Sequence, residues 1–207
     1  MAGATSDYGQ NVFINCPFDD DYKRLLDAAV FAVQIAGFTP RCALEASNAG
    51  QNRLYKIMDI ISSCRYGIHD ISRTELSLGR LPRFNMPLEL GLDLGCWRYG
   101  SDHLGDKRLL VMDRSAHRYQ KFISDIAGQD IVSHSNSSGR IIRHVRDWLS
   151  TESKAMTIPG GDYIYGRYRS FQRVLPDLCK AMRLNRDQLT FSDFSRAVRI
   201  WLEENET

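Results

Sequence analysis

A chain of 207 residues, 43% of them hydrophobic, is long enough to bury a full core, and its length favours one α/β domain with an appendage over two equal domains. A net charge of +2, from 27 basic and 25 acidic residues, excludes a global electrostatic footprint for nucleic acid. Five scattered cysteines without a Cys-x-x-Cys pair exclude a disulfide framework and a thiolate zinc site, and they fit a reducing cytosol.

No basic-then-apolar leader opens the chain, and no apolar run nears the ~20 residues that span a bilayer. A cytoplasmic protein without a membrane partner is expected. After a polar leader, the run Asn11-Val12-Phe13-Ile14-Asn15-Cys16 is apolar and β-prone and stops at Pro17, which predicts the first strand. Asp19 to Asp21 offer an N-cap for a helix carrying Leu25, Leu26, Ala29, Val30, Val33 and Ile35, and Gly37 ends it. Residues 39–44 read as a second strand. Residues 51–64 read as a helix with Leu54, Ile57, Met58 and Ile61 on one face, and residues 66–71 as a third strand.

Residues 84–95 predict a helix starting near Asn85, with Pro87 in its first turn. Leu88, Leu92 and Trp97 form its expected inward stripe, with Leu90 and Leu94 at the margins. Its first turns carry one carboxylate, Glu89. There the helix dipole and free N–H groups stabilise a negative charge by roughly 0.3–1 kcal/mol, so a capping acid is the plain alternative to a functional one. A fourth strand at 107–112, a short helical piece at 118–126, a weak strand near 130–132 and a helix over 140–149 follow.

Strands alternating with helices predict an α/β fold built on a mainly parallel, doubly wound sheet. Pro159-Gly160-Gly161 breaks the pattern and marks a boundary, so residues 10–150 form the α/β domain and residues 155–205 a helical extension. In the extension, Tyr165, Tyr168, Phe171, Leu175 and Leu178 recur at helical steps, as do Phe194, Val198, Trp201 and Leu202. These stripes dock on the domain or on a partner, through self-association or a second protein. Thr190 and Asp193 offer the cap of the last helix.

Ligands of open parallel sheets bind beyond the carboxyl ends of the strands. That rule selects Asn15, Cys16, Pro17, Phe18 and Asp19, then Glu45, then Asp70 and Ser72, then Asn85, Met86 and Glu89, and finally Asp113 and Arg114. Asp19 doubles as a helix cap, Asp70 suits an Asx-turn with Ser72, and His69 is expected to be a hydrogen-bonded structural histidine between sheet and helix. Cys16 has no histidine placed in sequence to activate it, and the histidines lack the paired spacing of a metal site, so no metal is expected. Neither Gly-x-Gly-x-x-Gly nor Gly-Lys-Ser/Thr is present, which argues against Rossmann hydride transfer and a P-loop phosphotransferase. What remains is a carboxylate-centred pocket suited to gripping a ribose. Cleavage at an N-glycosidic carbon passes through an oxocarbenium-like species that a glutamate can stabilise or attack.

Three pieces of the chain carry a family likeness: Val12-Phe13-Ile14-Asn15-Cys16-Pro17-Phe18-Asp19, Cys64-Arg65-Tyr66-Gly67-Ile68-His69-Asp70-Ile71-Ser72, and Asn85-Met86-Pro87-Leu88-Glu89-Leu90-Gly91. With them, residues 10–113 resemble the superfamily joining nucleoside 2-deoxyribosyltransferases to Toll/interleukin-1 receptor (TIR) domains. The resemblance implies a flavodoxin-like fold with a five-stranded sheet, here with a C-terminal helical extension. It implies that Glu89 is the catalytic glutamate and that Phe18 and Asp19 line the nucleotide pocket. Asp70 then orients the sugar or base, and Asn15, Cys16, Pro17, Ser72, Asn85 and Met86 complete the substrate-binding set.

The expected activity is N-glycosidic cleavage of NAD or a related nucleotide, of the kind used by bacterial antiviral defence effectors. NAD is then a substrate or ligand, and no separate cofactor is implied. Two alternatives are a non-catalytic nucleotide sensor and a deoxyribosyltransferase. The long basic segment 73–83 and the aromatic tail depart from the usual core of the family. Nucleic-acid binding through Arg73, Arg80, Arg83 or residues 140–146 is the less favoured reading beside a solvated charged face.

Overall fold

In the computed structural model, which describes residues 7–45, 50–74, 83–153 and 157–205, the first apolar run becomes strand β1 (Asn11–Asn15) with every side chain buried. Its neighbours explain that burial. Among the described residues the sheet is five-stranded, in the order β2 (Thr39–Arg41), β1, β3 (Tyr66–Asp70), β4 (Arg108–Asp113), β5 (Val132–Ser133), and every pairing is parallel. Parallel strands need a cover on both faces. Helices α1 (Asp20–Ile35) and α4 (Ser138–Glu152) pack on the face carrying Val12, Ile14, Tyr66, Ile68, Leu110 and Met112. Helices α2 (Arg53–Ser62) and α3 (Asn85–Tyr99) pack on the face carrying Phe13 and Val111. The result is a flavodoxin-like, doubly wound α/β fold with C-terminal helices.

Strand β2 is shorter than the sequence predicts. Its last residue, Arg41, turns back to pair with Glu45 at 2.5 Å, and Leu44 N–H donates to Cys42 Sγ, so the segment closes into a turn. The C-terminal helices α5 (Gly161–Ala181) and α6 (Phe191–Glu204) bury Tyr168, Phe171, Leu175, Phe194, Val198 and Trp201 in the core of α1 and α4. Phe31 of α1 meets the rings of Tyr168, Phe171 and Trp201 at centroid distances of 5.4, 5.5 and 5.9 Å. A capping box between Thr190 and Asp193 starts α6, as expected. The apolar stripes offered to the domain or to a partner are therefore buried in the domain.

Two helices are rotated from their expected faces. Helix α2 buries Ile57, Ile60 and Ile61 and exposes Leu54 and Met58. Helix α3 buries Met86, Glu89, Leu90 and Asp93, while Leu88 and Trp97, expected inside, are 54% and 44% exposed. Apolar residues run all round α3, so their spacing selects no face. A buried polar chain selects it instead.

Lys107 is fully buried, with Nζ 3.1 Å from Asp93 Oδ1 and donating to the carbonyls of Ile61 (2.8 Å) and Cys64. Asp93 Oδ2 lies 3.0 Å from His69 Nε2, and His69 Nδ1 lies 3.0 Å from Asn15 Nδ2. Asn15 Nδ2 also donates to Met86 O at 2.8 Å. An amide nitrogen only donates, so Nδ1 of His69 accepts and Nε2 carries the proton given to Asp93. Gly67 makes room for this: a Cβ there would lie 2.5 Å from Asp93 Oδ2 and 2.9 Å from His69 Nε2. Among the described residues no helix is long and apolar enough to cross a membrane.

The geometry predicts that Asp93→Ala, which leaves the Lys107 ammonium buried without its counter-ion, loses about 3–5 kcal/mol of stability. Gly67→Ala is expected to lose about 1–3 kcal/mol through overpacking against Asp93. Urea unfolding followed by circular dichroism measures both. A midpoint for Asp93→Ala equal to the wild type would show that the chain does not hold α3.

Candidate functional site

Parallel topology brings the carboxyl ends of β1 and β3 and the start of α3 to one edge, where the 2-1-3-4-5 order reverses between β1 and β3. The bond from Asn15, the last residue of β1, to the Met86 carbonyl ties the first turn of α3 to that edge. Glu89 follows three residues later on the same buried side, 6% exposed.

Its surroundings are unusual for a carboxyl group. Oε2 is buried without a hydrogen-bond partner among the described residues. Burial pushes the carboxyl from its ordinary 4.5 up to about 7, and the Arg53 guanidinium at the start of α2 pulls the other way. Phe84 occupies the cap position of α3, and among the described residues no side chain caps the helix, so the capping alternative for Glu89 is not realised. An ionisable group with its charge poised near neutrality, desolvated beside a strand edge, marks a functional site more often than a structural one.

Asn15, Cys16 and Met86 gather beside Glu89 and are all buried. Asn15 and Met86 act as a tether rather than as exposed ligand groups. Burial pushes the Cys16 thiol well up, and the charges of Asp70, Glu89 and Asp19 add to the effect, so Cys16 stays a neutral thiol. Asn85 is exposed at the helix start. Asp19 caps α1 by accepting from Tyr22 N at 3.0 Å, and it pairs with Arg73 (3.3 Å) and Arg83 (3.0 Å). Pro17, Phe18 and Asp19 line a cavity of about 130 Å³ whose far wall is Leu189, Phe191 and Phe194.

Asp70 and Ser72 do not join Glu89. Successive strand residues point to opposite faces, so His69 turns to α3 while Asp70 turns to α1. Asp70 is fully buried: Oδ1 accepts from Ser72 N (2.8 Å), the expected Asx-turn, and Oδ2 accepts from Tyr22 Oη (2.6 Å) and lies 2.9 Å from His134 Nε2. His134 Nδ1 in turn accepts from Asn136 N at 3.1 Å, which leaves the imidazole neutral with its proton on Nε2. Asp70 orienting a sugar directly is thus replaced by Asp70 anchoring a buried network. Glu45 pairs with Arg41, and Asp113 accepts from Arg118 at 2.8 Å.

Sequence reasoning missed Lys107, Asp93, Tyr22 and His134. Asp93 had a usable signal, because it lies four residues after Glu89 on the same helix face. Lys107 had none, since a lysine opening an apolar run reads as a strand flank. Residues 75–82 of the basic segment, Arg80 among them, lie outside the described residues. Among the described residues no group of three or more His, Cys, Asp and Glu side chains is arranged to hold a metal ion. No protein-family model and no curated protein matches the chain.

A carboxyl whose folded value is raised binds extra protons in the folded state, so its ionisation destabilises the fold. Stability is therefore lost as pH rises from about 4.5 to about 7 and stays lost above. Glu89→Gln is predicted to melt with the wild type at pH 4 and to gain about 3 kcal/mol over it at pH 8. Thermal melts at the two values decide it; an equal difference at both would show that Glu89 is not destabilised by ionisation.

Proposed function

We propose that the protein is an N-glycosidase that hydrolyses NAD or a related nucleotide at the ribosyl bond, with Glu89 as the catalytic carboxylate. One observation carries the reading: a buried carboxyl whose Oε2 has no hydrogen-bond partner among the described residues, raised to about 7, at the edge where the strand order reverses. The likeness of residues 10–113 to the deoxyribosyltransferase and TIR superfamily supports it, since the matching glutamate is Glu89.

The chemistry follows from charge. A ribosyl group bearing a cationic pyridinium brings positive charge to a carboxyl poised between its two forms, and the pairing draws off the proton. The C–N bond then breaks with its electron pair going to the ring, which leaves as neutral nicotinamide. The positive charge passes to the sugar as an oxocarbenium-like species, which the Glu89 carboxylate stabilises or captures. Water adds at the same carbon and releases a proton, so NAD and water give ADP-ribose, nicotinamide and H⁺. Asn15 holds the first turn of α3 against the end of β1 and so positions Glu89. A cytoplasmic defence effector that depletes NAD is the setting this activity suits.

The purified chain is expected to release nicotinamide from NAD, with the rate rising as pH passes through about 7 because the ionised carboxylate acts. Glu89→Gln is expected to lower the rate by about 10²–10³-fold. Chromatographic product analysis measures both, and equal turnover in the two proteins removes Glu89 from the mechanism. Saturable binding with NAD left intact identifies a sensor instead, and label exchange between free bases a deoxyribosyltransferase.

A further inference from the structure

Beside the strand ends, on the α1 side of the sheet, lies a second pocket of about 390 Å³ that receives Arg24, Arg73 and Arg114. They come from α1, from the segment after β3 and from the end of β4. We propose that this pocket binds phosphate, and that its ligand is a diphosphate group. Among the described residues lining it Asp21 is the one acid, and its side chain is 83% exposed. Arginine suits the task because its planar fork of N–H donors matches phosphate oxygens in pairs.

The floor of the pocket is built rather than incidental. Tyr22, Ser72 and Asn136 line it, and each is anchored to the buried pair of Asp70 and His134. Tyr22 Oη donates to Asp70 Oδ2, Ser72 N to Asp70 Oδ1, and Asn136 N to His134 Nδ1. Asn136 O then accepts from Arg24 Nη2 at 2.7 Å, which fixes one guanidinium at the rim. Asn136 directly precedes Ser137, the N-cap of the 15-residue helix α4, so the positive end of that helix borders the same edge. Arg73 is shared between Asp19 and Asp21, at 3.3 Å from each, and a phosphate would compete with these two carboxylates. The size lies within the usual range of small-molecule sites.

Asp19 links this pocket to the Glu89 helix, because it pairs with Arg73 on one side and with Arg83, two residues before α3, on the other. That the diphosphate belongs to a nucleotide whose ribose meets Glu89 rests on the glycosidase reading; the anion site itself does not.

Calorimetry on the full chain tests it with inorganic pyrophosphate, ADP-ribose and, as the uncharged probe, adenosine. Pyrophosphate and ADP-ribose are expected to bind and adenosine to bind far more weakly. Arg73→Gln and Arg114→Gln should each weaken pyrophosphate about tenfold, more at low salt than at high. Arg199→Gln, on the exposed side of α6, should leave it unchanged. No pyrophosphate binding in the wild type, or binding indifferent to Arg73→Gln and Arg114→Gln, overturns the proposal. The two readings fail separately. Arginine-dependent pyrophosphate binding without NAD cleavage keeps this site and removes the glycosidase. NAD cleavage by a chain that does not bind pyrophosphate does the reverse.

Discussion

A lysine and an aspartate meet with no exposed surface between the sheet and α3, and the site depends on how that pair is satisfied. Burying two charges costs several kcal/mol for each ion, and their attraction offsets this only with good geometry and further hydrogen bonds. Lys107 has both, with Asp93 Oδ1 as counter-ion at 3.1 Å and two main-chain carbonyls as acceptors. Asp93 has His69 as its second partner, and the chain continues through Asn15 to the Met86 carbonyl. Helix α3 is thus pinned at Met86 and at Asp93. Glu89 sits between the two pins, on a face turned inward by its neighbours' bonds rather than by its own. The helix orientation that satisfies Lys107 leaves Glu89 Oε2 without a hydrogen-bond partner among the described residues.

The two faces of β3 carry two parallel devices. His69 and Asp70 are consecutive, so one serves α3 and the other serves α1. Each device pairs a neutral histidine, protonated on Nε2, with a buried aspartate. On one face the pair fixes the backbone under Glu89; on the other it fixes Tyr22, Ser72 and Asn136 beneath the arginines. Neither imidazole carries the unpaired charge. That falls to Glu89, whose ionisation costs the fold stability.

The C-terminal helices belong to the same core as α1 and α4. Phe31 packs against rings from both α5 and α6, and each such contact contributes about 0.5–1.5 kcal/mol beyond burial. The sequence break near Pro159 is therefore a change of local structure and not a break in packing. One consequence reaches the strand edge: Leu189, Phe191 and Phe194 wall the cavity against Pro17, Phe18 and Asp19, the turn that follows β1.

The alternation of strands and helices, the cap at Asp19, the capping box at Thr190 and Asp193, and the Asx-turn from Asp70 to Ser72 were all legible in the sequence. Each is decided by periodicity or by hydrogen bonds within a few residues. Glu89 was legible as an acid needing an explanation at the right edge of the sheet. The face of α3 was not, because its apolar residues surround the helix and the deciding partner, Lys107, lies on the far side of a loop. The roles of Asp70, Tyr22 and His134 were hidden for the same reason. By itself the sequence determined the elements, their order and the sheet edge at which Asn15, Asp70 and Glu89 arrive. Only the tertiary structure decided which buried charges meet, because a charge removed from water must find its partner among neighbouring strands and helices, whatever their separation along the chain.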